Sequence, residues 1–222
     1  MKSQVRGGTR WKRFAVVMVP SVAATAAIGV GLAQGALAAS FAVSGQEFKV
    51  TAAHLEGDGF AQYGGVDMGY ANIKEGDQVV PRPVAISTFK HAEITKMCQS
   101  VVTPDVPLFG KITLKLTAGP DKDHKVVADN LYLDVTDLDA NAEFTNIDIG
   151  MAAKDTSQGG KYAKGPVVKD KNINQNGFAQ QAEKAVLTDV KQKAWATTAG
   201  TFKLSGLSMR LHKGDGPAVE CY

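Results

Sequence analysis

The chain has little of what usually betrays a chemistry. Its 222 residues include two cysteines, Cys98 and Cys221, and four histidines, His54, His91, His124 and His212, none set in a recognisable motif. Two cysteines so far apart lack the ligand spacing of a zinc site. The sequence Gly-x-Ser-x-Gly, which would aim a serine hydroxyl at an oxyanion hole from a strand-to-helix turn, does not occur. Its nearest approach, Gly206-Leu207-Ser208-Met209-Arg210, lacks the second glycine and sits within a strand pattern. No acid precedes Glu47. No Arg-Arg pair precedes the long apolar run, so the twin-arginine route has no signal here. No cysteine follows that run, which excludes a lipid-modified N-terminus.

What the first forty residues do contain is an export leader. Lys2, Arg6, Arg10, Lys12 and Arg13 precede a stretch without charge that extends from Phe14 to Gln46. Phe14 to Ala33 matches the roughly 20 residues that a helix needs to cross the hydrocarbon. The basic flank stays on the cytoplasmic side, so the body of the chain is expected outside. Ala36-Leu37-Ala38 fits the small-x-small rule for signal-peptide cleavage. Residues 1–39 therefore read as a signal peptide or a signal anchor, held at least transiently in the cytoplasmic membrane through residues 14–39. Pro20 and the Ala-x-Ala site favour cutting, whereas the length of the apolar run favours retention.

Without the leader the charge balance changes sign. Removing its five cations from the 25 lysines and arginines leaves 20 against 22 acids. No clustered basic face remains, so nucleic acid is not an expected partner. Lys161, Lys164, Lys169 and Lys171 lie among glycines and a proline and read as a solvated loop. Residues 40–222 are enough for a single exported domain. In an oxidising compartment an even cysteine count points to a Cys98–Cys221 disulfide that pins the C-terminal tail.

The body has period two. Ile112, Leu114, Leu116 and Ala118 alternate with Lys111, Thr113, Lys115 and Thr117, and Leu131, Leu133 and Val135 alternate with Tyr132, Asp134 and Thr136. Phe41, Val43 and then Phe48, Val50 and Ala52 read as the first strand or pair of strands, and Ile147, Ile149 and Met151 mark another. Leu204, Leu207, Met209 and Leu211 suit one strand with a bulge at Gly206. Breaks are expected at Gly57–Gly59, Gly64-Gly65, Gly159-Gly160 and Gly214–Gly216. Phe178, Ala182, Ala185, Val186 and Val190 suit a helix face, so a short helix over 178–190 competes with a strand there. The fold class is all-β, an antiparallel sandwich, barrel or curled sheet behind the N-terminal apolar helix.

Three echoes hint at an internally duplicated β unit. Gly59-Phe60-Ala61-Gln62 recurs as Gly177-Phe178-Ala179-Gln180, and Ala92–Gln99 parallels Ala185–Gln192. Phe48-x-Val50-x-Ala52-x-x-Leu55 matches Leu131-x-Leu133-x-Val135-x-x-Leu138. Asp137-x-Asp139-x-Asn141-x-Glu143, followed by Asp148, imitates the ligand order of a calcium loop. Ala142 stands where that loop needs glycine, and a polar strand face is the simpler account. No catalytic, cofactor or metal residue is expected.

Met97-Cys98-Gln99-Ser100, the run Phe144 to Gly150, the run Lys193 to Leu204 and the terminal Glu220-Cys221-Tyr222, together with the leader, resemble an exported streptomycete family of unknown function. Its members are often labelled cholesterol esterase. The resemblance covers nearly the whole chain and implies an envelope or secreted location in an actinomycete. It carries no catalytic residue to this sequence. The expected function is a non-enzymatic envelope protein that binds a lipid, another hydrophobic ligand or a membrane protein. A sterol- or acyl-ester hydrolase and a structural surface component are the alternatives.

Overall fold

Four strands here are three to four times the usual five or six residues, and their length decides the architecture. The computed structural model describes Met18 and residues 44–71, 78–156 and 173–222. Everything described from residue 44 onward belongs to one unit. Apart from Met18, the leader lies outside the described residues, as do Phe41, Val43, Gly159-Gly160 and the lysines from Lys161 to Lys171. Among the described residues no helix is long and apolar enough to cross a membrane.

The strands are β1 (Phe48–Tyr70), β2 (Val79–Thr95), β3 (Met97–Val106), β4 (Gly110–Ala118), β5 (Val126–Thr145), β6 (Asp148–Ala152), β7 (Phe178–Thr198), β8 (Thr201–Leu204) and β9 (Ser208–Lys213). All neighbours are antiparallel. β1, β2, β5 and β7 close on themselves, because β7 pairs with both β5 and β1. Gly64 faces Ala85, Ala85 faces Val135, Val135 faces Ala194, and Ala194 faces Phe48. One circuit thus returns to β1 displaced by 16 residues (64 − 48). So large a stagger over four strands demands steep tilt, which is how so few strands enclose a core. Of the three all-β arrangements compatible with the sequence, the observed one is a barrel.

The inward-facing residues show how the strands bend enough to close. On β1 they are Val50, Ala52, Leu55, Gly57, Phe60 and Gln62, and on β2–β3 they are Ser87, Phe89, Ala92, Ile94, Met97 and Gln99. On β7 they are Ala182, Ala185, Leu187, Val190 and Gln192. Steps of two alternate with steps of three, so the inward pleat changes phase about once in five residues. Gly59, Lys96, Asn130 and Asp189 each occupy a three-residue step, and each has positive φ, 66°, 50°, 51° and 53° respectively. The pairing register runs unbroken through Gly59, Lys96 and Asn130 and slips beside Asp189 only against β5, so paired strands kink together there and add local twist and coil to the sheet.

This stepping corrects three expectations. Residues 178–190 form strand, not helix, because alternating steps of two and three imitate a helical face. Gly57–Gly59 and Gly64-Gly65 are not breaks but lie inside β1. A Cβ on Gly57 would strike the Phe89 ring, and one on Gly65 would strike the Ile86 side chain, so these glycines make room for side chains from β2. Leu204 to Leu211 is not one strand with a bulge. β8 pairs with β5 and β9 with β4, with Gly206 (φ 65°) in the turn between them.

Two of the three sequence echoes fall at equivalent places. Gly57 pairs with Ala92 on one side and Ala185 on the other. The inward series Ala92, Ile94, Met97 and Gln99 thus lies at the same level as Ala185, Leu187, Val190 and Gln192, with Lys96 and Asp189 as the matching positive-φ positions. The Phe48 and Leu131 series shares its inward steps likewise. The third echo does not correspond. Phe60 is buried within β1, whereas Phe178 is exposed at the start of β7.

Beyond Thr95 the sheet leaves the ring. β3, β4 and β9 form an arm whose root is the pairing of Lys49–Thr51 with Cys98–Ser100. The C-terminal tail crosses one face of this arm. Thr113 Oγ1 donates to Gly214 O at 2.7 Å, Lys115 Nζ to Glu220 O at 2.8 Å, and Cys221 N to Ser100 Oγ at 3.1 Å. Lys49 on β1 pairs with Glu220 at 2.7 Å. Cys98 and Cys221 are joined across 123 residues with Cα atoms 5.8 Å apart.

Candidate functional site

The barrel interior is the candidate site. A cavity of about 130 Å³ is lined by Leu55, Phe60, Phe89, Leu138, Phe144 and Leu187 among its apolar residues. A second of about 30 Å³, towards Met97 and Phe202, shares Leu55, Leu133, Val190 and Gln192 with it. The polar residues in the larger wall are Gln62, Ser87 and Gln192, all neutral. Gln180 Nε2 donates to Gln62 Oε1 at 2.7 Å, and Gln62 Nε2 donates to Ser87 Oγ at 2.8 Å. The wall therefore offers apolar contact and a few neutral hydrogen-bonding groups, without a charge to orient an ion.

The same geometry bears on hydrolysis. An activated serine needs a base within hydrogen-bond reach. Ser87 is bonded instead to an amide, which cannot accept its proton as a base would. His91 Nδ1 lies 2.7 Å from Asp129 Oδ1, His124 pairs with Asp121 at 2.9 Å, and His54 lies 3.5 Å from Glu56. None of these three belongs to the cavity wall.

Strand alternation also settles where the acidic series points. Leu138, Ala140, Ala142 and Phe144 line the cavity, so Asp137, Asp139, Asn141 and Glu143 occupy the opposite face of β5. Lys193 approaches Asp137 at 3.4 Å, and Asn141 Nδ2 donates to Asp189 at 3.2 Å. Gln181 Nε2 donates to Asp148 on β6 at 3.0 Å. Among the described residues no group of three or more His, Cys, Asp or Glu could hold a metal ion. Sequence reading missed Gln62, Ser87 and Gln192 as wall residues. The shared glutamine of the Ala92–Gln99 and Ala185–Gln192 echo was the one available signal.

Charge is concentrated on the outside of the ring. Glu56 pairs with Lys184, which holds its carboxyl below the usual range through hydrogen bonding. Lys125 pairs with Glu93 at 2.5 Å, which raises the ammonium's pKa. A charged exterior around an apolar interior is the arrangement of a water-facing barrel, the reverse of an outer-membrane barrel with its lipid-facing apolar band.

One carboxyl departs from this pattern. Asp134, facing Ile86 and Ala196, is pushed up to about 7, first by burial and then by the charge of Asp67. Its folded pKa exceeds its unfolded one, so the folded state holds the extra proton between roughly pH 4 and 7, and stability falls as pH rises through that window. Asp134→Asn should leave the thermal midpoint near pH 4 unchanged. At pH 8 it should raise stability by up to about 4 kcal/mol, the linkage value of a three-unit shift. Equal midpoint changes at the two pH values in calorimetry would contradict this assignment.

These features define an antiparallel β-barrel with a neutral, apolar interior, a charged exterior and a tail held by a disulfide, a bond characteristic of oxidising compartments. The chain belongs to a family of unknown function, DUF6230, whose model matches residues 44–222. No curated protein and no solved structure matches it.

Proposed function

We propose that this is a non-enzymatic protein of the cell envelope that holds the apolar end of a hydrophobic or amphiphilic ligand inside its barrel. The observation that carries the reading is the cavity wall, which combines aliphatic and aromatic side chains with neutral polar groups. The leader pattern and the disulfide support a place beyond the cytoplasmic membrane, secreted or anchored at its outer face. The family resemblance supports an actinobacterial envelope.

Volume narrows the ligand. About 130 Å³ is near the size of an engineered cavity that accepts benzene, about 150 Å³, and below the roughly 300–1,000 Å³ of sites that enclose a drug-sized molecule. A ring or a branched chain end of about six carbons fits, whereas a whole sterol does not. This size, with Ser87 bonded to Gln62, favours binding over sterol-ester hydrolysis.

Extraction of the natively produced protein followed by mass spectrometry should recover an amphiphile in near-stoichiometric amount. Ala142→Phe, which projects a ring into the cavity, should weaken uptake of an apolar fluorophore by about tenfold or more while leaving the fold intact. Displacing only two buried methylenes corresponds to roughly 1.6 kcal/mol. Recovery of no amphiphile, with fluorophore uptake unaffected by Ala142→Phe, would remove the reading. Stoichiometric labelling of one serine by a fluorophosphonate would replace it with the hydrolase.

A further inference from the structure

At about 130 Å³ the cavity holds only one end of an amphiphile, and the wall that lines it does not stop at its mouth. Beyond Tyr63, β1 has no partner in β7, and before Ala85, β2 has none in β5. Residues 64–70 and 79–85 therefore leave the ring as a two-stranded ribbon. Gln62 and Ser87, opposite each other in the cavity wall, mark its inner face. No positive φ interrupts the alternation beyond them. The pairs Val66–Pro83, Met68–Pro81 and Tyr70–Val79 thus stand on that same face. All six residues are exposed. Beside them Phe178 and Ile149, also exposed, flank Gln180 on the inner face of β7 and β6.

We propose that this ribbon is the second half of the binding site, an open track for the rest of a long, linear apolar chain whose end occupies the cavity. The track extends the site described above and rests on that reading of the cavity. Continuity and charge select this occupant. Only Gly64 and Ala85 separate Gln62 and Ser87 from the apolar pairs, and a Cβ on Gly64 would meet nothing within 4 Å. The junction is therefore unobstructed. The inner face of the ribbon carries no charge that would select an ionic partner, and its one hydroxyl, on Tyr70, lies at the far end. From Gly64 to Tyr70 the strand runs about 20 Å. A linear chain makes use of that length, whereas a compact ring system would leave most of it bare.

The back of the ribbon is already engaged. Val84 is buried there, and the Arg82 guanidinium lies 4.2 Å from the centre of the Trp195 ring while donating to Tyr70 O at 3.0 Å. These contacts hold the ribbon in place and leave its inner face free. A strand from a second copy fits less well, because Pro81 and Pro83 have no N–H to offer it along the open edge of β2.

Neutral 1-alkanols from hexanol to dodecanol, displacing an apolar fluorophore from the natively produced protein, test the track. Full burial of a methylene corresponds to about fourfold in affinity, so cover on one side should give about twofold per carbon beyond the sixth. Dodecanol should then bind roughly 60-fold tighter than hexanol. Val66→Ser with Met68→Ser, both at exposed positions, should remove most of that gain and leave hexanol unchanged. Gly64→Glu, which sets a carboxylate in the open space at the junction, should do the same. An affinity that stops rising at hexanol in the parent would overturn the track and keep the cavity. A gain that survives both variants would mean that the chain leaves by another route, and would overturn it too. No displacement by any alkanol would reject the cavity reading itself, and the track with it. A ligand-free dimer in sedimentation that Val66→Ser with Met68→Ser dissociates would overturn the proposal and assign the face to a second copy.

Discussion

Replacing Cys98 and Cys221 with serine is expected to lower the thermal midpoint by about 10–20 °C. The bond closes 123 residues, for which the chain-entropy estimate approaches 5 kcal/mol, and in a domain of this size each kcal/mol shifts the midpoint by about 2–4 °C. The location of the loss is as diagnostic as its size. Cys221 lies in the tail, and Cys98 on β3 where the arm leaves the ring. Around the bond, Glu220 binds Lys49 of β1 and its carbonyl accepts from Lys115 of β4. Opening the bond frees the tail from all three strands at once. Hydrogen exchange should then accelerate first in β3, β4 and β9, while β1, β2, β5 and β7 keep their protection. A midpoint within a degree or two of the parent would refute the strap.

The second large effect is expected at Phe89. It is among the largest fully buried side chains, and its ring lies 5.3 Å from that of Phe60, which in turn lies 5.2 Å from Phe144. Phe89→Ala should cost about 3–5 kcal/mol, from lost burial and the void left behind. Gly57 makes the test specific. Gly57→Ala alone pushes a methyl group into the Phe89 ring and should destabilise by about 1–3 kcal/mol, as overpacking does. In the Phe89→Ala background the same methyl meets vacated space. The double variant should therefore be more stable than the sum of the single costs by about 1 kcal/mol or more. Strict additivity in urea titrations would mean that the ring does not lie over Gly57.

The regular stretches of this fold were legible in the sequence because they obey a single rule. β4 alternates without interruption from Ile112 to Ala118, and both its class and its extent could be read directly. β7 was not legible in the same way. Its inward residues step by three and then by two, so Ala182, Ala185 and Val190 suit a helix as well as a coiled strand. The glycines of β1 misled for a related reason. Gly57 and Gly65 resemble turn residues, but their neighbours are Phe89 and Ile86, contributed by a strand more than twenty residues away. The candidate site was harder still. Its wall is assembled from β1, β2, β5 and β7, and only ring closure brings Gln62, Ser87 and Gln192 together. The acidic series illustrates the converse: four polar residues at alternate positions are conspicuous in sequence, yet strand geometry turns them away from the cavity.

Closure by β7 also sets the timetable for making the molecule. A chain synthesised from its N-terminus can pair β1 with β2 early, but the other edge of β1 waits for a strand that begins at Phe178. Until then a 23-residue strand presents a bare row of amides and carbonyls, the template on which foreign strands nucleate. Contacts so distant along the chain are slow to form, and the delay exposes the nascent protein to aggregation. Truncation before β7 should therefore leave no smaller barrel, only an open sheet of β5, β2, β1, β3 and β4 with bare edges.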